Sequence, residues 1–314
     1  MQVTLAGYNL DTEIINRVGK IIDGYPYGTG DLNYLSDLVT CLADETLTPE
    51  TLSAAYARIS RSNKSIGELR SNARASVNRA RRTNRRIVFG LGHASIAEHA
   101  VVNLDISDIS RLAVEELEAH RLASYTEASQ RYIAMEGDFI IPREVSDTGL
   151  KDRFQADCDE LFNGYRELIS RLERLFSDAP EQERNTKARE DARYVLPLAC
   201  RSQVGVTVNA RIAERMINNF NRSPLNEVRE LGRGMLASVK RIIPSLIRYT
   251  QPNRSLEASY HEIEHISRTT ISSETDQDEP SVRLMEAPES GENSALAAIL
   301  FSTGVGSYSA CLEA

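Results

Sequence analysis

Apolar and polar side chains alternate through "AVVNLDIS" (100–107), placing Val102, Leu104 and Ile106 on one side and Asn103, Asp105 and Ser107 on the other. A period of two marks a half-buried strand. The same pattern predicts strands in "VTLAGY" near the start and in "VGVTV" at 204–208, and "GDFIIP" forms a short extended segment closed by Pro142. Elsewhere the spacing is helical. Residues from the first strand to about 90 read as mostly helical. Thr48-Pro49 supplies a cap and a first-turn proline, and Ser65-x-x-Glu68 has capping-box spacing ahead of a long helix. Helical spacing returns at 109–122, fills about 149–192 with i,i+4 charge pairs, and resumes in "ARIAERMINNF" after the third strand. Helices and strands alternate without a regular βαβ repeat, which predicts a mixed α/β domain rather than a Rossmann fold.

The chain has 314 residues, 41% of them hydrophobic, enough to bury a substantial core. No stretch approaches the roughly 18 apolar residues of a membrane helix, and the opening "MQVTLAGYNLD" has neither a basic region nor an apolar run, so the sequence reads as cytoplasmic. Cys41, Cys158, Cys200 and Cys311 are scattered without metal-ligand spacing, as isolated thiols in a reducing compartment are. A net charge of -8 disfavours general nucleic-acid affinity but leaves room for a local basic site. The predicted helix after Ser65 is one candidate for such a site, with Arg70, Arg74, Arg79, Arg81, Arg82, Arg85 and Arg86. It reads either as a solvated cationic face or as a surface for a phosphate-rich ligand or RNA.

Residues 269–294 are polar, acidic and aperiodic, a linker composition. The apolar 295–314 that follow read as a docking arm or the first element of a second domain. The main domain is therefore expected at 1–268. Just before the linker, "HEIEH" (His261 to His265) satisfies the H-E-x-x-H zinc pattern, with Glu262 as its base, but no further histidine follows to supply a third ligand.

The densest polar cluster is "EAHRLASYTEASQRY" (118–132), preceded by "GHASIAEH" (92–99). In a helix Glu116 and His120 share a face, and in an extended segment Ser129 and Arg131 do. Arginine forks and hydroxyls together suit an anion, while a capped, salt-bridged helix end is the plainer reading.

Residues 119–131, A-H-R-L-A-S-Y-T-E-A-S-Q-R, resemble the R-H-R-x-x-S-x-N-x-x-S-x-R signature of flavin-dependent thymidylate synthases, matching at His120, Arg121, Ser124, Ser129 and Arg131. Gly92, His93, Ser95, Glu98 and His99 match the upstream GH-x-[ST]-x-x-EH element of the family. "RYVLP" from Arg193 and "TVNAR" at 207–211 match its downstream segments in order, so the similarity spans about 88–250. The resemblance implies a mixed central sheet flanked by long helices, and homotetramers holding FAD at subunit junctions. It also implies reductive methylation of dUMP to dTMP with methylenetetrahydrofolate and NADPH. Carried over, His93, Ser95, Glu98, His120, Arg121, Asn209 and Arg211 would contact flavin. Ser129, Arg131 and Arg193 would hold the nucleotide and serve catalysis, with Arg222 and Glu116 added to the nucleotide side.

Three positions depart from that pattern. Ala119 replaces the first arginine of the signature, Thr126 its asparagine, and Glu116 a glutamine that faces the nucleotide in the family. A carboxylate beside a uracil carbonyl repels it unless protonated or paired, so a changed base preference and a non-catalytic flavin or nucleotide binder stand as alternatives. RNA binding and zinc hydrolysis are the readings from other classes.

Overall fold

The computed structural model describes residues 1–24, 47–252 and 291–302, together with Ser255, Ala258, Ser259, Glu262, His265 and Ser309. The chain divides into two compact units, Met1–Ser259 and Tyr260–Ala314.

The first unit opens with β1 (Gln2–Tyr8) and α1 (Thr12–Asp23), followed by α2 (Glu50–Tyr56), α3 (Ile66–Arg74) and α4 (Val77–Asn84). A π-helical turn (Arg85–Gly90) and a 3-10 turn (Ala94–His99) lead into β2 (Val101–Ser110), α5 (Arg111–Glu118) and β3 (Ser124–Glu127). Then come α6 (Arg143–Ser146), α7 (Lys151–Leu175), α8 (Glu181–Ala192), β4 (Arg201–Asn209), α9 (Ala210–Phe220) and α10 (Asn226–Ile242). The strands form one sheet in the order β1-β2-β4-β3, every neighbouring pair antiparallel. This is the expected α/β architecture with a central sheet flanked by long helices, except that the described strands pair antiparallel throughout rather than as a mixed sheet.

The alternation along β2 and β4 builds the core directly. The register sets Val102 opposite Val208, Leu104 opposite Val206 and Ile106 opposite Val204, and all six side chains are buried. Against that face pack Ala213, Met216, Ile217 and Phe220 of α9 and Leu231, Met235 and Val239 of α10. The opposite face carries Asn103, Asp105, Gln203 and Thr207, with Asn103 Nδ2 donating to Thr207 Oγ1 at 2.8 Å. Edge strand β1 crosses α10 so closely that a Cβ on Gly234 would lie 2.7 Å from Val3 Cγ2, and Ser238 Oγ donates to Val3 O at 3.0 Å beside it.

Four local expectations change. The long helix expected after the Ser65–Glu68 capping box, which does form, is interrupted at Ala75–Ser76, where Ser76 Oγ caps a new helix by accepting from Arg79 N at 3.4 Å. Its cationic face is also only partly solvated. Arg70 and Arg74 pair with Asp11 and Glu13, and Arg81 Nε lies 2.6 Å from Glu50 Oε2, whose side chain is fully buried. The helix expected over 109–122 is shorter, because β2 runs on through Ser110, whose hydroxyl then caps α5, and an unforeseen strand, β3, follows. In the second unit α11 (Gly291–Ser302) takes in residues 291–294 of the expected linker, while 269–290 lie outside the described residues.

The β1–α10 crossing gives a direct test. Gly234→Ala gains about 1 kcal/mol of helix propensity but forces Val3 out of a packed position at a cost of about 1–3 kcal/mol. A net loss of about 1 kcal/mol is expected in urea unfolding, recovered in the Val3→Ala/Gly234→Ala double variant.

Candidate functional site

The β2–β4 pairing brings two motifs together. Val101 lies opposite Asn209, and Ala210 N donates to Ala100 O at 2.9 Å, which lays the 94–99 turn against the start of α9. Arg211 Nη1 consequently reaches Glu98 Oε1 at 2.5 Å. Asn209 caps α9, its Oδ1 accepting from Ile212 N at 3.0 Å. The chain entering β3 passes over the same place, and the result is a cleft of about 430 Å³ lined by Glu98, Arg121, Ser124, Thr207, Asn209 and Ile212 among others. Arg121 is exposed there with no hydrogen bond or ion pair to any described residue. A free guanidinium beside a helix N-terminus makes this wall of the cleft attractive to an anion.

His93 and Ser95 stand at the mouth of the same turn. Gly92, at φ +75°, bends the chain into it, and both side chains are exposed. The His93 ring is held by Arg61, Nη2 to Nε2 at 3.0 Å.

The second half of the signature gathers separately. Residues 129–132 form a turn rather than the extended segment expected: Ser129 Oγ accepts from Arg131 N at 3.3 Å, and Ile133 N donates to Ser129 O at 3.0 Å. The end of α8 faces this turn. Arg131 Nε lies 3.1 Å from Glu190 Oε1, and Arg189 Nη1 donates to Tyr132 O at 2.8 Å. One turn further on, Arg193 is half-buried with its guanidinium 5.6 Å from the Tyr194 ring. Ser129, Arg131 and Arg193 do not line the Glu98–Asn209 cleft, so one chain presents the two halves of the signature at separate places.

His120 belongs with a third group. The helix ends at Glu118 with Ala119 as its C-cap, so Glu116 and His120 do not present the common helical face expected of them. Glu116 is exposed, whereas the His120 ring packs edge-on to Phe220 with its Nε2 3.1 Å from Asn219 Nδ2. Asn219 Oδ1 in turn accepts from Arg222 Nη2 at 2.5 Å. Burial holds the His120 pKa below its usual value, against the opposing pull of the Leu117 and Glu116 carbonyls, and keeps the ring neutral near pH 7. Tyr125 secures the corner by donating its hydroxyl to His120 O at 2.7 Å, and burial pushes that phenol up to about 12.

Four members of these groups escaped the sequence reading: Arg61, Arg189, Glu190 and Asn219. Arg189 and Glu190 precede Arg193 by four and three residues, and that helical spacing is the signal that could have found them. Asn219 carries no comparable signal. For the "HEIEH" motif, His261 lies outside the described residues. Among those described, no three His, Cys, Asp or Glu side chains are grouped to hold a metal ion. No helix among the described residues is long and apolar enough to cross a membrane.

The chain matches the family described as "Thymidylate synthase complementing protein" over residues 41–245. The flavin-dependent thymidylate synthase of Clostridium tetani is 30% identical over 221 residues, covering 68% of this chain and 86% of the relative. The enzyme of the same description from Geobacter sulfurreducens is 33% identical over 219 residues, covering 67% and 86%. Among solved structures, the Helicobacter pylori flavin-dependent thymidylate synthase, crystallised with FAD and dUMP, shares the fold. Its TM-score is 0.50 at 16% identity, covering 80% of this chain and 100% of that one. With more than half its length matched by the family, and with relatives at these identities, this chain belongs to the thymidylate synthase complementing protein family, that of the flavin-dependent thymidylate synthases.

Proposed function

We propose that this chain is an FAD-dependent thymidylate synthase that converts dUMP to dTMP with methylenetetrahydrofolate and NADPH. The observation that carries the reading is the cleft in which Glu98, Arg121 and Asn209 converge from three separate motifs. The residues fit the cofactor. An unpartnered guanidinium and the capped start of α9 suit its pyrophosphate, and Val101, Val208 and Ile212 supply apolar wall. His93, Ser95, His120 and Arg211 complete the cofactor side. Bound FAD would supply hydride chemistry that no protein side chain provides.

On the nucleotide side, Arg131 and Arg193 present forks suited to phosphate and to negative charge developing on the pyrimidine, and Ser129 adds a hydroxyl. Arg222 is assigned to this side by the resemblance alone, since within one chain its Nη2 donates to Asn219 beside His120. Because the cleft and the Ser129–Arg193 group do not share a lining, the working enzyme is proposed to be a homo-oligomer, a tetramer, in which one protomer's cleft meets another's nucleotide group. The synthase domain is proposed to extend to residue 268, with the acidic segment separating it from the apolar end.

A second reading, a homologue that binds flavin or nucleotide without turnover, is favoured by Ala119, exposed where the family has an arginine, and by the run Glu115, Glu116 and Glu118 on α5. Purified protein reconstituted with FAD should show a flavin absorption spectrum and release the C5 hydrogen of labelled dUMP. A colourless protein overturns the synthase reading and leaves of the second only nucleotide binding, and a coloured one that releases nothing selects the second. Arg131→Ala should weaken dUMP binding about 10- to 150-fold, the worth of one charge-assisted hydrogen bond, while flavin is retained. Glu116→Gln should tighten dUMP binding in calorimetry, and unchanged or weaker binding would remove Glu116 from the nucleotide side.

A further inference from the structure

The arginines of residues 70–86 fall into two sets. Arg70, Arg74 and Arg81 are held by Asp11, Glu13 and Glu50. Arg79, Arg82, Arg85 and Arg86 are exposed, and none has an ion pair or side-chain hydrogen bond with a described residue. These four lie on α4 and the π turn that continues it. Spacings of three and four put Arg79, Arg82 and Arg86 on one side, spread over roughly 10 Å of helix axis. An ordinary solvated helix face mixes both signs, and this one has four cations and no anion in a chain of net charge -8.

The end of this face is aromatic. Phe89, four residues after Arg85, meets the Tyr249 ring edge-to-face with centroids 5.4 Å apart. The Arg248 guanidinium sits 5.6 Å from one ring and 5.3 Å from the other, and Tyr249 is 55% exposed. Arg248 and Tyr249 are anchored through their backbone N–H groups, which both donate to Glu214 Oε2, so the planar groups are held while their outer surface stays open.

We propose that this surface binds single-stranded RNA, with phosphates along Arg79, Arg82, Arg85 and Arg86 and an unpaired base on the Arg248–Tyr249 platform. A row of guanidiniums matches a phosphate backbone, and an exposed ring with an arginine plane beside it stacks a base only if that base is unpaired. A duplex or an anionic membrane would use the charges and leave the platform idle.

Binding of a fluorescent octauridylate to the full chain should weaken with salt at a slope of about -3 in log K against log salt, four contacts at about 0.7 each. Arg82→Gln/Arg86→Gln should reduce that slope to about -1.4, whereas Arg82→Lys/Arg86→Lys keeps it near -3. All four substitutions are exposed and keep good helix formers, so circular dichroism should not change. Tyr249→Ala should weaken binding about five- to a hundredfold without altering the slope, since stacking releases no counterions. A slope unchanged in the glutamine variant overturns the proposal. So does equal affinity for blunt duplex DNA, or binding to phosphatidylserine vesicles without binding to octauridylate.

Discussion

The register between β2 and β4 is the constraint on which the rest depends. It pairs six buried aliphatic side chains across the centre of the sheet, and the same alignment sets Val101 opposite Asn209 at its end. A slip of one residue would turn all three of those side chains on the slipped strand to the polar face. It would also part Ala210 from Ala100 and Glu98 from Arg211, so the hydrophobic term that stabilises the sheet is also what assembles the cleft. Truncating Leu104 illustrates the scale, since such core deletions cost about 2–5 kcal/mol.

Two carboxylates, Glu50 buried and Glu227 half-buried, then tie the peripheral helices to this centre. Glu50 accepts from Ser245 N at 2.6 Å while pairing with Arg81, and Asn84 Nδ2 reaches both Glu50 O and Ser245 Oγ, so three distant segments meet at one carboxylate. Glu227 does the same for α10, accepting from both the backbone N and the hydroxyl of Ser110. The Glu50 charge is removed from water and repaid only by its full set of partners, so removing one partner is far more damaging than removing a surface pair. With Asp11 and Glu13, which hold Arg70 and Arg74, Glu50 makes three of the seven arginines of residues 70–86 structural. The arginines that remain unpaired lie where no carboxylate of the described residues reaches.

Much of this was legible in the sequence wherever a short-range rule governs. The alternation at 102–106 and 204–208 marks the two central strands, and the Ser65–Glu68 spacing marks a capping box that forms as read. The Ala75–Ser76 break was not legible, because Ser76 is tolerated within a helix and becomes a cap only when its hydroxyl turns back on Arg79 N. Nor was β3, whose "SYTE" has weak periodicity and is a strand because β4 offers it an edge. The candidate site divides along the same line. Motif residues could be named in order, but that Glu98 meets Arg211, or that Asn219 links His120 to Arg222, follows from sheet register and helix packing.

The charges within the site bear on how it would discriminate. Arg211 is neutralised by Glu98, and Arg131 is paired with Glu190, both at half-exposed positions where such pairs are worth little. A phosphate arriving at either arginine competes with a carboxylate that can swing into water at small cost. Arg121 has no such competitor, so the first anion into the cleft meets it unopposed. With Ala119 in place of a second guanidinium, electrostatic attraction at this corner rests on Arg121 while α5 contributes Glu115, Glu116 and Glu118. Burial and the neighbouring Glu127 raise the pKa of Glu118, so the charge it adds to α5 is held at a cost.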